Sequence, residues 1–454
     1  MAEGSPKTGP RELGLRAQLI RGGMAGMALR AGSILAGLAA AVTLARLLGP
    51  ETYGIYAFVF SVIAMLGLPV KVGLPTLILR ETARADQAAD GALMTGIWRW
   101  STRTMLILSA CVIAATLAYL WVFADADRSP RMVALVWALP LIPLIGFAEA
   151  KSAAIRGLRR VFLGGFTGKI LRPLLLSVSV IGLAFFAPGL LSAANVFVVH
   201  SVVAAVTLGL ALMILYKVQP RHAGSDNPTV NSRGWIAAIL PLAAIAGLQM
   251  ISHNTDILML GIMTTDTDVG LYRVALSGAN IALFGLTTAN LVLQPHFARA
   301  WQANDNRRLH KLATAGARIS TAASLPVLAI FWFGGTSLLT FVFGDAYASA
   351  FWALILLCLG QSVSALFGSV GNLLIMSGRE KIALGGMVIS TVSNITLNWV
   401  LIPRYGIEGA AIATGLSIVI WNLCLWGAAR VLMGIDTSFV GLKPRAMSAA
   451  VVVP

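Results

Sequence analysis

Residues 44–56 read LARLLGPETYGIY, and residues 260–272, which begin 216 positions later, read LGIMTTDTDVGLY. Both stretches lie where one long apolar segment passes into the next. Two further pairs follow in the same order at spacings of 221 and 220: residues 157–165 (GLRRVFLGG) with 378–386 (GREKIALGG), and Pro75 with Pro295. Three matches at nearly one spacing indicate an internal repeat, and repeated hydrophobic halves are typical of transporters.

Apolar residues make up 57% of the chain and charged residues 11%, with a mean hydropathy of +0.82. Soluble globular domains carry about a quarter of charged residues, so that class is excluded. Runs of about 20 apolar residues predict bilayer-crossing helices, because backbone groups in hydrocarbon need internal hydrogen bonds and these runs are too long for barrel strands. The sequence therefore predicts an all-α integral membrane protein with about twelve transmembrane helices.

The predicted spans lie near residues 26–48, 54–79, 102–123, 132–150, 166–187, 191–216, 235–263, 270–298, 315–343, 350–376, 383–402 and 407–432. Since each half holds six spans, the second half enters the membrane in the same direction as the first, which predicts two parallel six-helix lobes around a central cavity. The N-lobe is residues 1–216 and the C-lobe residues 235–454. Residues 217–234 between them are polar and rich in Pro, Gly, Asn and Ser, which predicts a flexible cytosolic linker.

The distribution of the basic residues decides what the net charge of +16 means. With the N-terminus placed in the cytosol, 28 of the 34 Lys and Arg fall on the cytosolic side, five fall outside, and Lys71 lies within a span. By the positive-inside rule, this predicts a multi-pass membrane protein with both termini in the cytosol. The first span is too long for a signal-peptide core and is expected to stay as an anchor. The excess charge reflects topology, so no nucleic-acid partner is expected.

No motif for nucleotide binding, hydrolysis or metal binding is recognisable. Residues 164–169 (GGFTGK) lack the spacing and the Ser or Thr of a phosphate-binding loop. The five His and three Cys show no metal-ligand spacing, and the cysteines fall inside spans, where packing is the expected role. We therefore expect a transporter without a catalytic motif, a metal or a cofactor.

Polar side chains inside spans are costly and therefore indicate function. In the N-lobe these are cations, which favour an anionic substrate such as a phosphate or diphosphate. In the C-lobe they recur at helical spacing and predict a wet cavity. The candidate substrate-binding residues are Arg30, Lys71, Lys169, Arg172, Gln249, His253, Asn280 and Asn372, with Asp256 and Arg273 as candidates for ion coupling or a structural pair.

Structural alternatives stand beside these predictions. Arg30, Lys169 and Arg172 could snorkel to the cytosolic surface, whereas Lys71 lies about 13 Å of helix rise from its span end, too far for easy snorkelling. Asp256 is open to two interpretations, an ion pair with Arg273 or coupling to protons or cations. The Ser and Asn stripes would serve equally as interhelical hydrogen bonds.

Several segments resemble polysaccharide biosynthesis proteins, the Wzx-type flippases of the multidrug/oligosaccharidyl-lipid/polysaccharide (MOP) exporter superfamily. These segments are LARLLGPETYGIYAFVFSV (44–62), VKVGLPTLILRETA (70–83), TDILMLGIM (255–263), VGLYRVA (269–275), LQPHFAR (293–299) and YGIEGAAIAT (405–414). The resemblance implies two six-helix lobes, alternating access, and transfer of a polyprenyl-diphosphate-linked oligosaccharide from the cytosolic to the outer leaflet. It implies a location in the bacterial cytoplasmic (inner) membrane. It also implies, by position alone, that Arg30 and Lys71 bind the diphosphate.

The expected role is thus in O-antigen or exopolysaccharide biosynthesis, with membrane lipid and the polymerase or export machinery as partners. An ion gradient, proton or sodium, or the membrane potential would drive it. Three alternatives are a peptidoglycan lipid-precursor flippase, a multidrug/cation antiporter of the same superfamily, and a membrane polysaccharide polymerase or ligase. The cationic N-lobe disfavours the antiporter, and the short outer loops disfavour the enzymes. The segment after Met433 is either an interfacial tail or the start of another span.

Overall fold

The computed structural model describes residues 10–71, 73–123, 129–220, 223 and 228–442, and within these ranges all regular secondary structure is helical. The helices are α1 (Pro10–Leu66), α2 (Leu68–Lys71), α3 (Leu74–Gln87), α4 (Gly91–Phe123), α5 (Pro130–Ala138), α6 (Leu141–Gly157), α7 (Val161–Phe166), α8 (Arg172–Phe186), α9 (Ala193–Val218), α10 (Ser232–Met263), α11 (Asp266–Ala282), α12 (Phe284–Gln302), α13 (Asn306–Phe343), α14 (Phe351–Phe367), α15 (Val370–Met376) and α16 (Glu380–Met433). A π turn covers Thr167–Leu171, and short 3₁₀ helices cover Pro188–Leu190 and Asp345–Ala350.

The described part of the chain contains eight helical segments long and apolar enough to cross a bilayer, or ten when each of two bent helix pairs counts as one span. Two of the eight, α1 and α16, contain a glycine with non-helical backbone angles, Gly49 (φ 74°, ψ 169°) and Gly406 (φ 56°, ψ −128°). Since one predicted span ends and the next begins at each glycine, dividing both helices gives twelve segments. The prediction of an all-α membrane protein is confirmed.

Two predicted boundaries differ from the structure. α1 begins at Pro10 and not near residue 26, because the helix continues past the apolar part of its sequence. Residues 434–442 continue α16 as an irregular segment, and residues 443–454 lie outside the described residues, as do 221–222 and 224–227 of the predicted linker. The division into N-lobe and C-lobe stays a prediction, and we keep these names for residues 1–216 and 235–454.

The segment after Met433 folds back onto the C-lobe. The backbone N–H of Phe439 donates to the carbonyl oxygen of Leu366 at the end of α14 (2.8 Å), and Trp426 Nε1 donates to the Asp436 carboxylate (2.7 Å). Burial alone would raise the pKa of Asp436, but hydrogen bonds from Trp426 and from Ser438 hold it below its usual value. The described residues therefore form a compact cap on the end of α16.

Several predicted spans are interrupted partway along their length. The second span breaks at Gly67 and again at Gly73 (φ 80°), which isolates α2 between α1 and α3. The eighth span bends by 48° between α11 and α12, and the tenth breaks at Gly368 (φ 66°) between α14 and α15. Non-helical backbone at membrane depth is tolerated where it is buried in protein or lines a polar cavity. The breaks therefore point to the interior of the bundle as the place to search for a site.

The repeated stretches 44–56 and 260–272 pack directly against each other. A Cβ atom added to Gly54 would lie 1.7 Å from the backbone oxygen of Asp266, and one added to Gly270 would lie 2.1 Å from the backbone oxygen of Pro50. Gly54 and Gly270, like Pro50 and Asp266, are 216 residues apart, so each lobe makes the same contact with the other. This reciprocity is what a two-fold relation between two lobes produces. Only glycine permits so close an approach of two helix backbones.

Polar bonds reinforce this contact, which lies at the end that the charge distribution assigns to the outer face. Arg131 of α5 forms an ion pair with Asp266 (Nε to Oδ1, 2.8 Å) and donates to the backbone oxygen of Gly261 (2.6 Å). The Tyr347 hydroxyl donates to the backbone oxygen of Ala45 (2.9 Å). A single apolar core crosses the two lobes here, whereas a second core, around Phe297 and Leu373, belongs to the C-lobe alone. The lobes are thus joined most firmly at this end.

We expect Gly54→Ala and Gly270→Ala to separate α1 from α11, because a methyl group would overlap the opposite backbone. Overpacking of this kind costs about 1–3 kcal/mol of stability. Pulsed electron paramagnetic resonance between spin labels at Glu51 and Asp345 should show longer distances in either variant. Gly37→Ala is the matched control, since no heavy atom lies within 4 Å of that position on the same helix. Identical distance distributions in all variants would contradict the role of this contact in joining the two lobes.

Candidate functional site

A cavity of about 530 Å³, here called the central cavity, lies between helices of the two lobes. Its wall combines α1, α2, α6 and α8 of the N-lobe with α10, α11, α14 and both halves of α16. The charged and titratable side chains in this wall are Lys71, Glu149, Arg172, His253, Asp256 and Arg273. Amides and hydroxyls line much of the C-lobe side, among them Ser252, Asn280, Gln361, Thr391, Asn394 and Thr414. A polar hollow therefore follows the contact between the lobes.

The N-lobe side of the central cavity is cationic. Lys71 is the last residue of α2, and its aliphatic chain passes Gly67, where an added Cβ would lie 3.8 Å from the lysine Cε. Arg172 begins α8 immediately after the π turn. Among the described residues, neither Lys71 nor Arg172 forms an ion pair within 4.0 Å, although Glu149 is near enough to act electrostatically on both. Both cations are therefore available to an anionic ligand.

A side cavity of about 250 Å³ extends this charge within the N-lobe, and Glu149 and Arg172 line both cavities. The side cavity adds Arg156 and Lys169, and Lys169 lies in the π turn, a helix distortion that is frequent at functional sites. Lys71, Arg156, Lys169 and Arg172 form what we call the cationic cluster. Four cations face one carboxylate, so the cluster keeps a strong positive charge that a multivalent anion would neutralise.

The C-lobe side is organised around Asp256, which is 5% exposed. Its carboxylate accepts four hydrogen bonds from neutral groups. The donors are Tyr272 Oη (2.9 Å), Asn394 Nδ2 (3.0 Å), Asn398 Nδ2 (2.7 Å) and Thr414 Oγ1 (2.6 Å). This network joins α10 and α11 to both halves of α16. Asn398 Oδ1 beside it is buried and has no hydrogen-bond partner among the described residues.

Among the described residues, no ion pair within 4.0 Å joins Asp256 and Arg273. The ion pairs there involve Glu81 and Asp266. Arg273 lies beside Tyr53 of the opposite lobe. Four neutral donors satisfy the Asp256 carboxylate without a cation. Whether Asp256 serves ion coupling or the structure of the bundle stays a prediction.

The structure brings six of the ten candidate residues together in the central cavity: Lys71, Arg172, His253, Asp256, Arg273 and Asn280. Lys169 lines the side cavity, and Arg30 is exposed on α1, near enough to act electrostatically on Lys169. Gln249 and Asn372 line a third hollow inside the C-lobe. The predicted helical face of Gln249, His253 and Asp256 is therefore divided between two cavities.

Sequence reasoning missed Glu149 and Arg156. Glu149 falls at the edge of the predicted fourth span, and an acidic residue inside or beside a span is itself a functional signal. Arg156 lies beyond that span in a basic connection, where the positive-inside rule already accounts for it. Neither residue acquires a role until α6 packs beside α2 and α8.

The helices are arranged as in solved transporters of the MOP superfamily. An inward-facing multidrug resistance MATE family transporter of that superfamily aligns with a TM-score of 0.68 and 17% identity, over 88% of this chain and 94% of its own. The lipid II flippase MurJ in an inward closed conformation aligns with a TM-score of 0.70 and 11% identity, over 88% of this chain and 86% of its own. At these identities, the likeness establishes the fold.

Residues 43–352 match the family of polysaccharide biosynthesis proteins, and the chain belongs to that family. The resemblance recognised in the sequence is thereby confirmed. A probable low-salt glycan biosynthesis flippase, Agl15 of Haloferax volcanii, is 26% identical over 166 residues, which are 36% of this chain and 35% of the relative. The uncharacterized membrane protein MJ1068 of Methanocaldococcus jannaschii is 28% identical over 158 residues, 34% of this chain and 31% of that protein. The chain thus matches about a third of the length of each relative.

We expect the cationic cluster to bind inorganic diphosphate. Lys71→Gln and Arg172→Gln should each weaken binding at least about tenfold, because each removes a charge at low dielectric. Glu149→Gln should tighten binding, since it removes a carboxylate that faces the cluster. Isothermal titration calorimetry of the purified protein measures these changes, with Lys381→Gln, an exposed cation outside the cavities, as control. Equal affinities in all variants would contradict this assignment.

Proposed function

We propose that this protein is an alternating-access flippase that moves a polyprenyl-diphosphate-linked oligosaccharide from the cytosolic to the outer leaflet of the cytoplasmic membrane. The product would enter surface polysaccharide biosynthesis, as O-antigen or exopolysaccharide. The single observation that carries the proposal is the division of one cavity into a cationic wall and a wall of amides and hydroxyls. This division matches a headgroup that joins a diphosphate to a sugar chain. Family membership supports the same substrate class.

The physical problem of transport fits this arrangement. A diphosphate and a hydrated glycan would have to cross about 30 Å of hydrocarbon, which is prohibitive without a polar path. Lys71 and Arg172 supply counter-charges for the phosphates, and the C-lobe wall supplies donors and acceptors for hydroxyl groups. The prenyl tail is as apolar as the lipid around it and can stay in the bilayer while the headgroup moves between the lobes.

The same wall weighs against the multidrug/cation antiporter, because a cationic drug would be repelled by the cationic cluster. A peptidoglycan lipid precursor also carries a diphosphate, so a flippase for that lipid is the nearer alternative. Mass spectrometry of the lipid that copurifies with the protein distinguishes the two by the glycan it carries. The positive-inside asymmetry supports a cytosolic location of both termini, and a polymerase or export complex would receive the product.

Ion coupling through Asp256 forms part of the proposal. The carboxylate lies in the wall of the central cavity, is held by four neutral donors and has no ion-pair partner within 4.0 Å among the described residues. Because no arginine is paired with it, the carboxylate is open to interaction with a coupling ion. A proton or sodium gradient, or the membrane potential acting on the diphosphate, would then supply the energy.

We expect Lys71→Ala to abolish transport of the copurified lipid in proteoliposomes without lowering the amount of folded protein in the membrane. The lysine lines the central cavity, and its loss removes a counter-charge inside the bundle. Arg404→Ala, at an exposed position in α16, is the control and should transport normally. Transport by Lys71→Ala at the unchanged rate would overturn the assignment.

We further expect Asp256→Asn to remove the dependence of transport on pH or on the sodium gradient. The amide cannot titrate, and with its oxygen toward Asn394 and Asn398 its N–H groups would meet the Tyr272 and Thr414 hydroxyls, which donate to Asp256. Because that mismatch also costs about 1–3 kcal/mol of stability, Thr414→Ala serves as a milder second variant and should shift the ion profile in part. Asp345→Asn is the exposed control. An ion profile that is the same in all four proteins would assign Asp256 a purely structural role.

A further inference from the structure

A third hollow of about 280 Å³, here called the C-lobe cavity, lies among α10, α12, α15 and α16. The break at Gly368 forms part of its wall, and that glycine has a positive φ of 66°. The proposed function so far makes no use of this cavity.

The C-lobe cavity lies one helical turn away from the central cavity along three helix segments. On α10, Gln249 lines the C-lobe cavity and His253 the central one. On the first half of α16, Met387 lines the C-lobe cavity and Thr391 the central one. On its second half, Trp421 lines the C-lobe cavity and Ser417 the central one. Each step is four residues, or about 6 Å of helix rise. A ligand extended from the central cavity along the C-lobe would therefore enter this second space.

The wall of the C-lobe cavity combines apolar side chains with polar ones and, among the described residues, includes no Lys or Arg. Its side chains include Gln249, Asn290, Ser369 and Asn372, with the carboxylate of Glu380 exposed at its margin. Asn372 Oδ1 accepts a hydrogen bond from Gln294 Nε2 (2.9 Å). The N–H groups of the Asn372 amide therefore point away from Gln294. Gln249 is exposed and forms no hydrogen bond with another described residue. Such groups suit hydroxyls, which both donate and accept, and do not suit a phosphate.

Trp421 adds an apolar surface to this wall. Its ring packs beside Gly371 and Gly386, where added Cβ atoms would each lie 3.6 Å from ring carbons. The two glycines fix the indole against α15 and α16, while part of its surface lines the cavity. A rigid aromatic face next to amides provides both kinds of contact that a sugar ring offers, apolar C–H groups and hydroxyls.

The internal repeat shows how the two lobes diverge at related positions. At the spacing of 221, Glu149 corresponds to Val370, Lys169 to Ser390 and Arg172 to Ser393. Val370 lines the C-lobe cavity, and Ser390 lines the central cavity. The charges of the N-lobe are thus replaced by neutral side chains on the C-lobe side.

We propose that the C-lobe cavity is a subsite for an uncharged sugar of the glycan, separate from the site for the diphosphate. The inference rests on the proposed function and adds a selection for glycan length, since a single sugar held beside the diphosphate would not extend another helical turn into this cavity.

The test uses the full chain in proteoliposomes and two synthetic lipids, a polyprenyl diphosphate with one neutral sugar and one with four. The readout is the ratio of the transport rate of the four-sugar lipid to that of the one-sugar lipid. We expect Gln249→Leu and Trp421→Leu to lower this ratio about tenfold, the effect of losing buried hydrogen bonds to a ligand. Gln249→Leu should leave the fold intact, because Gln249 forms no hydrogen bond with another described residue. Trp399→Leu, 69% exposed on the same helix, is the control and should leave the ratio unchanged.

An unchanged ratio in both cavity variants would overturn the subsite and leave the proposed function standing. A ratio lowered equally by Trp399→Leu would also overturn it, since the effect would then not be local. If the unsubstituted protein transports neither lipid, the proposed function fails and the subsite with it.

Discussion

The close approach of Gly54 and Gly270 is the contact on which the arrangement of the two lobes depends. In a bilayer, apolar burial does not drive helices together, because lipid is as apolar as the side chains. Association must come from close packing and from hydrogen bonds. Here two backbones meet without intervening side chains, and Arg131 adds an ion pair across the same contact. Because the contact between the lobes is concentrated at one end, the bundle can enclose a polar cavity beyond that end and still hold together.

The cavity in turn explains the irregular helices. Breaks at Gly67, Gly73 and Gly368 would leave backbone groups unsatisfied if they faced hydrocarbon. Gly67 instead lines the central cavity and Gly368 the C-lobe cavity, whereas Gly73 is buried in protein against Ile239 and Ala243 of α10. The break also places Lys71 at the end of a four-residue helix rather than within a continuous one. The glycines that interrupt the helices thus also help to form the cavities.

The sequence predicted more of the fold than of the site. Apolar runs gave the twelve segments, since bilayer thickness sets a length that any spanning helix must meet. The free-energy cost of a charged side chain inside a membrane span identified Lys71 and Asp256 as candidates without any knowledge of their neighbours. The partners of Asp256 could not be predicted, because Tyr272, Asn398 and Thr414 meet it only after three helices pack. The placement of Gln249 and His253 in different cavities likewise depends on how neighbouring helices pack between these two residues. Helical periodicity gives the face of the helix but not the packing of its neighbours.

The charge balance of the cationic cluster has a consequence for the transport cycle. Removing these four cations and Glu149 from water costs several kcal/mol for each ion that lacks a partner, so the empty central and side cavities resist complete closure. A bound diphosphate would supply the missing negative charge and lower that cost only when the lobes close around it. Under the proposed function, the ligand thereby favours the closed state through its differential interaction with the cationic cluster, which is the requirement for any ligand to shift a conformational equilibrium. The asymmetry between the cationic cluster of the N-lobe and the mainly neutral C-lobe side would then couple substrate binding to the rearrangement of a nearly symmetric scaffold.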